Sequence, residues 1–255
     1  MAAWRCNQKM SFTYQSEAAP NDSDVEQETV GREQLSRPYY TYVLIAAIAA
    51  VAITQFVTGV EPSILSAGFV KPAFLHSHEY WRILTGATTH GSVAHVVMNC
   101  YAFYSFGKIF EMLTNRAHLA VVFLLSAIGG GLLSLIFVPD GTSVGASGGI
   151  VGLIAYLAVY AFRRRQFISA EFRKSLLINI GFILVFGLIL FQVIDNFGHI
   201  GGLITGAVYG FAQIPSDERV DPRTANSRVE IAGIVAVGIY VATCLFSILL
   251  ILRVV

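Results

Sequence analysis

The chain has 255 residues, of which 55% are hydrophobic and 13% charged, with a formal net charge of +1 and a mean hydropathy of +0.64. Charged residues make up about 25% of an ordinary globular protein, so a soluble domain is excluded as the main architecture. The near-zero net charge leaves no electrostatic footprint for nucleic acid. The three cysteines, Cys6, Cys100 and Cys244, make neither a metal-ligand spacing nor a disulfide framework.

Residues 1–38 are polar and carry several carboxylates. They lack the apolar core of a signal peptide, and their acidity argues against a transit peptide; a disordered tail is expected. A membrane span needs about 20 mostly apolar residues, and seven segments approach that length. They run over about Tyr40–Val60, Val93–Leu113, His118–Val138, Ser147–Phe162, Leu176–Val193, His199–Ile214 and Ile231–Leu252. The fourth and sixth are short for full spans, as expected of buried helices that begin below the membrane surface. Residues 215–229 form a polar linker before the last span.

Basic residues in short loops set orientation. Arg116 lies between spans two and three. Arg163, Arg164, Arg165, Arg173 and Lys174 lie between spans four and five, and Arg219, Arg223 and Arg228 between six and seven. With seven spans these loops share one side, predicted to be cytosolic, and the N-terminal tail joins them. The loops holding Asp140 and Asp195 then face outward. Ser147 and His199 each open a span entered from that outer side, so topology alone brings them to one end of the bundle.

Ionisable groups at such a depth are costly, and the default reading is functional. A serine hydroxyl is a poor nucleophile until a base takes its proton, and imidazole suits that task. The tetrahedral intermediate also needs donors aimed at its oxyanion. Glycines around Ser147, in Gly145-Ala146-Ser147-Gly148, let backbone approach a substrate and leave amides free at the helix start. His95 and Asn99, four apart on span two, share a helix face and supply further donors near the outer end. Gly198, Gly202, Gly206 and Gly210 form a stripe on span six, with Gly148 and Gly152 on span four. Such stripes permit close helix approach. Any one of these signals alone reads as ordinary membrane-helix packing; their shared end makes the combination specific.

These residues resemble the rhomboid intramembrane serine proteases. The matching positions are Trp81-Arg82 in the first outer loop, His95 and Asn99 in span two, Gly145-Ala146-Ser147-Gly148 at span four, and Gly198-His199 with Gly202 and Gly206 in span six. The resemblance covers roughly residues 39–214. It implies an all-α polytopic bundle, a six-helix core plus a seventh C-terminal helix over 230–255. It further implies Ser147 as nucleophile and His199 as base in a dyad, with His95, Asn99 and the Ser147 backbone amide as oxyanion donors. Gly145, Gly148, Gly202 and Gly206 would support the site by packing.

The expected activity is endopeptidase cleavage of transmembrane helices of membrane-anchored proteins near the outer leaflet, with a small residue at the cleaved position. No metal or other cofactor is expected. The partners are membrane-protein substrates and the bilayer, in a plasma (inner) membrane, with an organelle membrane as the alternative. The alternative is a catalytically silent, rhomboid-like client-binding protein. Some family members carry an aromatic residue one turn after the nucleophile, where this chain has Val151. Asp195, His90 and Arg82 read as structural residues. His76 and His78 make no metal pair, since His78-Glu79 lacks the second histidine of an HExxH motif.

Overall fold

The structure, a computed structural model, describes residues 37–190, 194–217 and 219–254. The polar tail expected over residues 1–38 therefore lies outside the described residues, apart from Arg37 and Pro38. Ten helices and two short strands follow in order: α1 (Tyr39–Thr58), α2 (Val60–Ala67), β1 (Phe69–Val70), α3 (Lys71–His76), α4 (Arg82–Thr85), α5 (Val93–Leu113), α6 (Arg116–Phe137), β2 (Thr142–Ser143), α7 (Ser147–Arg163), α8 (Ala170–Ile189), α9 (Asn196–Gln213) and α10 (Ser227–Ile251).

Seven of these helices are long, matching the seven expected segments. Four (α1, α6, α8 and α10) are both long and apolar enough to cross a membrane. The other three are α7, apolar but only 17 residues long, and α5 and α9, which interrupt their apolar runs with polar residues such as His95, Asn99 and His199. The helices that fall short of a simple span are those that carry the candidate site residues.

Several predicted boundaries shift. α8 begins at Ala170 rather than Leu176, because Ser169 caps it by accepting from the Phe172 amide at 3.2 Å. Arg173 and Lys174 are thus in its first turns, not in the loop, and Arg173 folds back onto the carbonyls of Arg165 and Ile168. Residues 191–193, the expected end of that span, lie outside the described residues. α9 begins at Asn196, so His199 is one turn inside the helix. Arg116 and Arg228 sit in the first turns of α6 and α10. In each case a side-chain cap (Ser169, Asp195, Asn115 or Asn226) starts the helix before its apolar run does.

α7 is the central rod. Twelve of its 17 residues are buried, and α5, α6, α8 and α9 surround it. Phe103 of α5 stacks on Phe123 of α6, and Phe110 of α5 packs on Tyr156 of α7, each at 4.6 Å between ring centroids. α10 lies outside this core against α6 and α1. It is pinned at both ends by polar contacts. Asn115 Nδ2 donates to Glu230 Oε1 at 2.9 Å near its start, and midway along it the Tyr240 hydroxyl donates to the Ala87 carbonyl at 3.0 Å. Toward its other end the Thr88 hydroxyl donates to the Ser247 hydroxyl at 2.8 Å.

The segment between α1 and α5 was expected as a loop; it contains three short helices and β1. β1 pairs antiparallel with β2, Phe69 opposite Ser143 and Val70 opposite Thr142, tying the first outer segment to the strand just before Ser147.

Candidate active site

The close packing of α6, α7 and α9 positions the site, and glycine makes it possible. A β-carbon at Gly202 would lie 2.2 Å from the Gly148 carbonyl oxygen, and one at Gly206 would lie 2.1 Å from that of Gly152. Backbone rests on backbone, so no side chain can move aside to admit even a methyl group. α6 closes the other flank of α9. A β-carbon at Gly130 would come within 2.5 Å of the Gly198 carbonyl oxygen, and one at Gly201 within 2.5 Å of that of Gly129. This second glycine face was not read from the sequence, although the run Gly129-Gly130-Gly131 was its signal.

Ser147 is the first residue of α7 and His199 the fourth of α9. The Ser147 Oγ lies 2.9 Å from His199 Nε2. His199 Nδ1 is buried and has no hydrogen-bond partner among the described residues. Asp195 therefore does not orient the imidazole directly. Its carboxylate instead caps α9, accepting from the Gly198 amide at 2.9 Å. It also accepts from the hydroxyls of Ser134 at the end of α6 and Ser143 in β2. Lys71, only 1% exposed, donates from Nζ to Ser134 Oγ at 2.7 Å. This cluster joins the first outer segment, α6, β2 and the start of α9. Sequence reading saw Asp195 but not its partners, which are 52 to 61 residues away along the chain.

His95 and Asn99 converge on the turn before Ser147. Gly145 has a φ of +116°, and a β-carbon there would meet the His95 ring at 2.8 Å and Asn99 Nδ2 at 3.4 Å. Glycine is needed both for that backbone conformation and for that contact. The Gly145 amide donates to the Gly86 carbonyl at 2.9 Å. Asn99 Nδ2 is buried without a partner among the described residues. α7 has no side-chain cap, its N-cap being Ala146, whereas α5, α6, α8, α9 and α10 are all capped by side chains. Uncapped helix starts leave amide donors unspent. The Ser147 amide and Asn99 thus offer donors beside the Ser147 hydroxyl. A cavity of about 40 Å³, lined by Ser147, His199, Gly145, Gly130 and Asp195, opens there, about the size of one water.

The remaining sequence-singled residues are structural in their contacts. Arg82 Nη1 donates to the Gly68 carbonyl at 2.8 Å, and its Nε pairs with Glu79. Trp81 meets Phe246 of α10 edge-on, 6.1 Å between centroids. His90 is fully buried; its amide donates to Gln55 Oε1 at 2.9 Å, and its ring lies against that of His95. His78 bonds the Tyr80 hydroxyl at 2.8 Å. One further pair escaped sequence reading. Glu111 near the end of α5 accepts from the Thr41 amide and hydroxyl at 2.8 and 2.7 Å, and Gly107 gives Thr41 the room it needs.

A multi-helix bundle with four full-length apolar spans is a multi-pass membrane protein. A family model for the rhomboid domain matches residues 77–216, more than half of the chain. The chain belongs to the rhomboid family. It is 30% identical over 176 residues to "Rhomboid protease GluP" of Bacillus subtilis, covering 68% of this chain and 34% of that protein. It is 32% identical over 145 residues to "RHOMBOID-like protein 6, mitochondrial" of Arabidopsis thaliana, covering 54% and 45%. It is also 32% identical over 139 residues to "Inactive rhomboid protein 1" of Bos taurus, covering 54% and 16%. The matches span less than half the length of each of these relatives.

Proposed function

We propose that this rhomboid-family chain is an intramembrane serine endopeptidase working through a Ser147–His199 dyad. The observation that carries the reading is the 2.9 Å approach of Ser147 Oγ to His199 Nε2 across two glycine-packed helices. His199 Nε2 takes the hydroxyl proton as Oγ attacks the scissile carbonyl carbon. The carbonyl oxygen becomes an oxyanion, met by the Ser147 amide, Asn99 Nδ2 and His95. These donors count for more in a low-dielectric setting than in water. His199 then protonates the leaving amine and the C–N bond breaks. Water, deprotonated by His199, hydrolyses the acyl ester and frees Ser147.

The substrate is a membrane-anchored protein. A helical peptide bond is shielded by its own hydrogen bonds, so the segment must unwind first, and helix-breaking Gly or Pro lowers that cost. Residues 39–214 form the protease core, 215–229 a linker and 230–255 an accessory helix. The basic connections between α7 and α8 and between α9 and α10 are cytosolic by the charge rule, as is the N-terminus, in a plasma membrane. The dyad then works near the outer leaflet, without a cofactor.

The similarity to a protein named as inactive favours testing a second reading, a client-binding protein that does not cut. Purified protein in detergent is treated with a fluorescent fluorophosphonate and, separately, with a model transmembrane substrate. Labelling and cleavage by the native chain, both lost in Ser147→Ala and with cleavage lost in His199→Ala, are expected. A folded native chain that neither labels nor cleaves, yet retains the substrate, would establish the binding role instead.

A further inference from the structure

At the end of the bundle opposite the dyad, a cavity of about 350 Å³ opens between α5, α7 and the α9–α10 connection. It is lined by Tyr160 and Arg164 at the end of α7, by Arg219 and Arg223 in the connection, and by Met112 and Phe167 at its rim. Ser147 and Arg164 bracket the 17 residues of α7, about 25 Å apart at 1.5 Å per residue, so this cavity is separate from the site above.

Among the described residues, the charges lining it do not balance. Arg164 is 2% exposed, and its Nη2 donates to the carbonyls of Pro215 and Val220 at 3.1 and 3.0 Å. Its Nε is buried with no partner among the described residues. Asp221 is the one carboxylate among the described lining residues, against three guanidiniums, those of Arg164, Arg219 and Arg223; it feels Arg164 but is bonded to Arg223. Arg223 holds it with Nε and Nη2, at 3.1 and 2.9 Å. That contact keeps the Asp221 carboxyl below the usual carboxylate range, hence ionised and fully used. The Arg219 side chain has no hydrogen-bond or ion-pair partner among the described residues. Buried positive charge in excess of its anions is costly, and here the excess among the described residues borders an open volume of about ten waters.

We propose that this cavity binds a phosphoryl group, held by the Tyr160 hydroxyl and Arg219 and attracted by the charge of Arg164. Arginine forks match phosphate oxygens in number and geometry. Two sources share that chemistry: the headgroup of an anionic phospholipid and a soluble phosphate. Met112 and Phe167, 54% and 67% exposed at the rim, offer an apolar path for an acyl chain, and basic pockets between spans are where anionic headgroups settle. The proposal is independent of the protease reading.

The test is thermal unfolding of the full chain in a neutral detergent, with phosphatidylglycerol, phosphatidylcholine of the same acyl chains, or inorganic phosphate added. Phosphatidylglycerol should raise the melting temperature by about 2–4 °C over phosphatidylcholine. The exposed-site variant Arg219→Gln, which leaves the fold intact, should lose at least half of that shift, and Tyr160→Phe part of it. An equal shift with inorganic phosphate supports the site and names a soluble occupant. No shift with any anion, or the same shift in Arg219→Gln, overturns the proposal.

Discussion

α7 and α8 are consecutive helices of similar length with opposite surroundings. α7 has twelve buried residues out of 17, while α8 has two, Leu176 and Gly187, out of 20. Their hydrophobicity does not explain this, since both are strongly apolar. The difference is in the small residues and what they meet. Gly148, Gly149 and Gly152 of α7 press on α6 and α9, whereas a β-carbon at Gly181 of α8 would meet nothing within 4 Å. In a bilayer, apolar surface drives no helix association, because lipid tails are as apolar as leucine; close backbone fit does. The contrast teaches that glycine placement, more than hydropathy, decides which rods hold a site and which face lipid.

The most severe way to break this comparison is to spoil the fit. Gly202→Val should cut substrate cleavage at least tenfold (order of magnitude), because overpacking costs about 1–3 kcal/mol and forces α9 off α7. Size-exclusion profile and fluorophosphonate labelling measured together separate a displaced dyad from an unfolded chain. Wild-type cleavage by folded Gly202→Val would refute the packing argument.

A smaller effect is expected at the start of α9. Asp195→Ala removes the cap and strands the Ser134, Ser143 and Gly198 donors. Loss of a cap costs about 1 kcal/mol and stranded donors add to it, so the melting temperature should drop by several degrees and cleavage should fall. Asp195→Asn keeps a capping oxygen and should recover most of the stability. Equal melting temperatures for Asp195→Ala and the native chain would mean that β2, α6 and α9 hold together without that carboxylate.

The smallest effect belongs to α8. Leu188, 70% exposed, should tolerate alanine within about 0.5 kcal/mol and without change in cleavage rate. A marked loss in Leu188→Ala would show that α8 is gripped by something its surroundings in the single chain do not reveal, and would sharpen the contrast into one between internal and external packing.

Much of this architecture was legible along the chain. The apolar runs located all seven long helices, and the spacing of Gly198, Gly202 and Gly206 announced a smooth face. The structure brings Ser147 to His199 and sets His95 and Asn99 against Gly145. What stayed hidden has a common physical character. The α8 start was missed because Ser169 begins the helix six residues before its apolar run. The Gly129–Gly130 face of α6 was missed because a stripe does not name its partner. The Lys71–Ser134–Asp195–Ser143 cluster and the Thr41–Glu111 contact are long-range pairings of single polar residues, and no local pattern connects residues 63 or 70 positions apart.

The order of the helices carries one last consequence. Greasy and compromised rods alternate without exception: α1, α6, α8 and α10 are apolar enough to enter lipid alone, while α5, α7 and α9 fall between them, too polar or too short. Each compromised rod is therefore strung between two self-sufficient neighbours. With seven alternating spans those two neighbours share one orientation, so seating both obliges the chain between them to cross the bilayer. Polar groups that no single helix could carry into a bilayer unaided are thereby held there by its flanks.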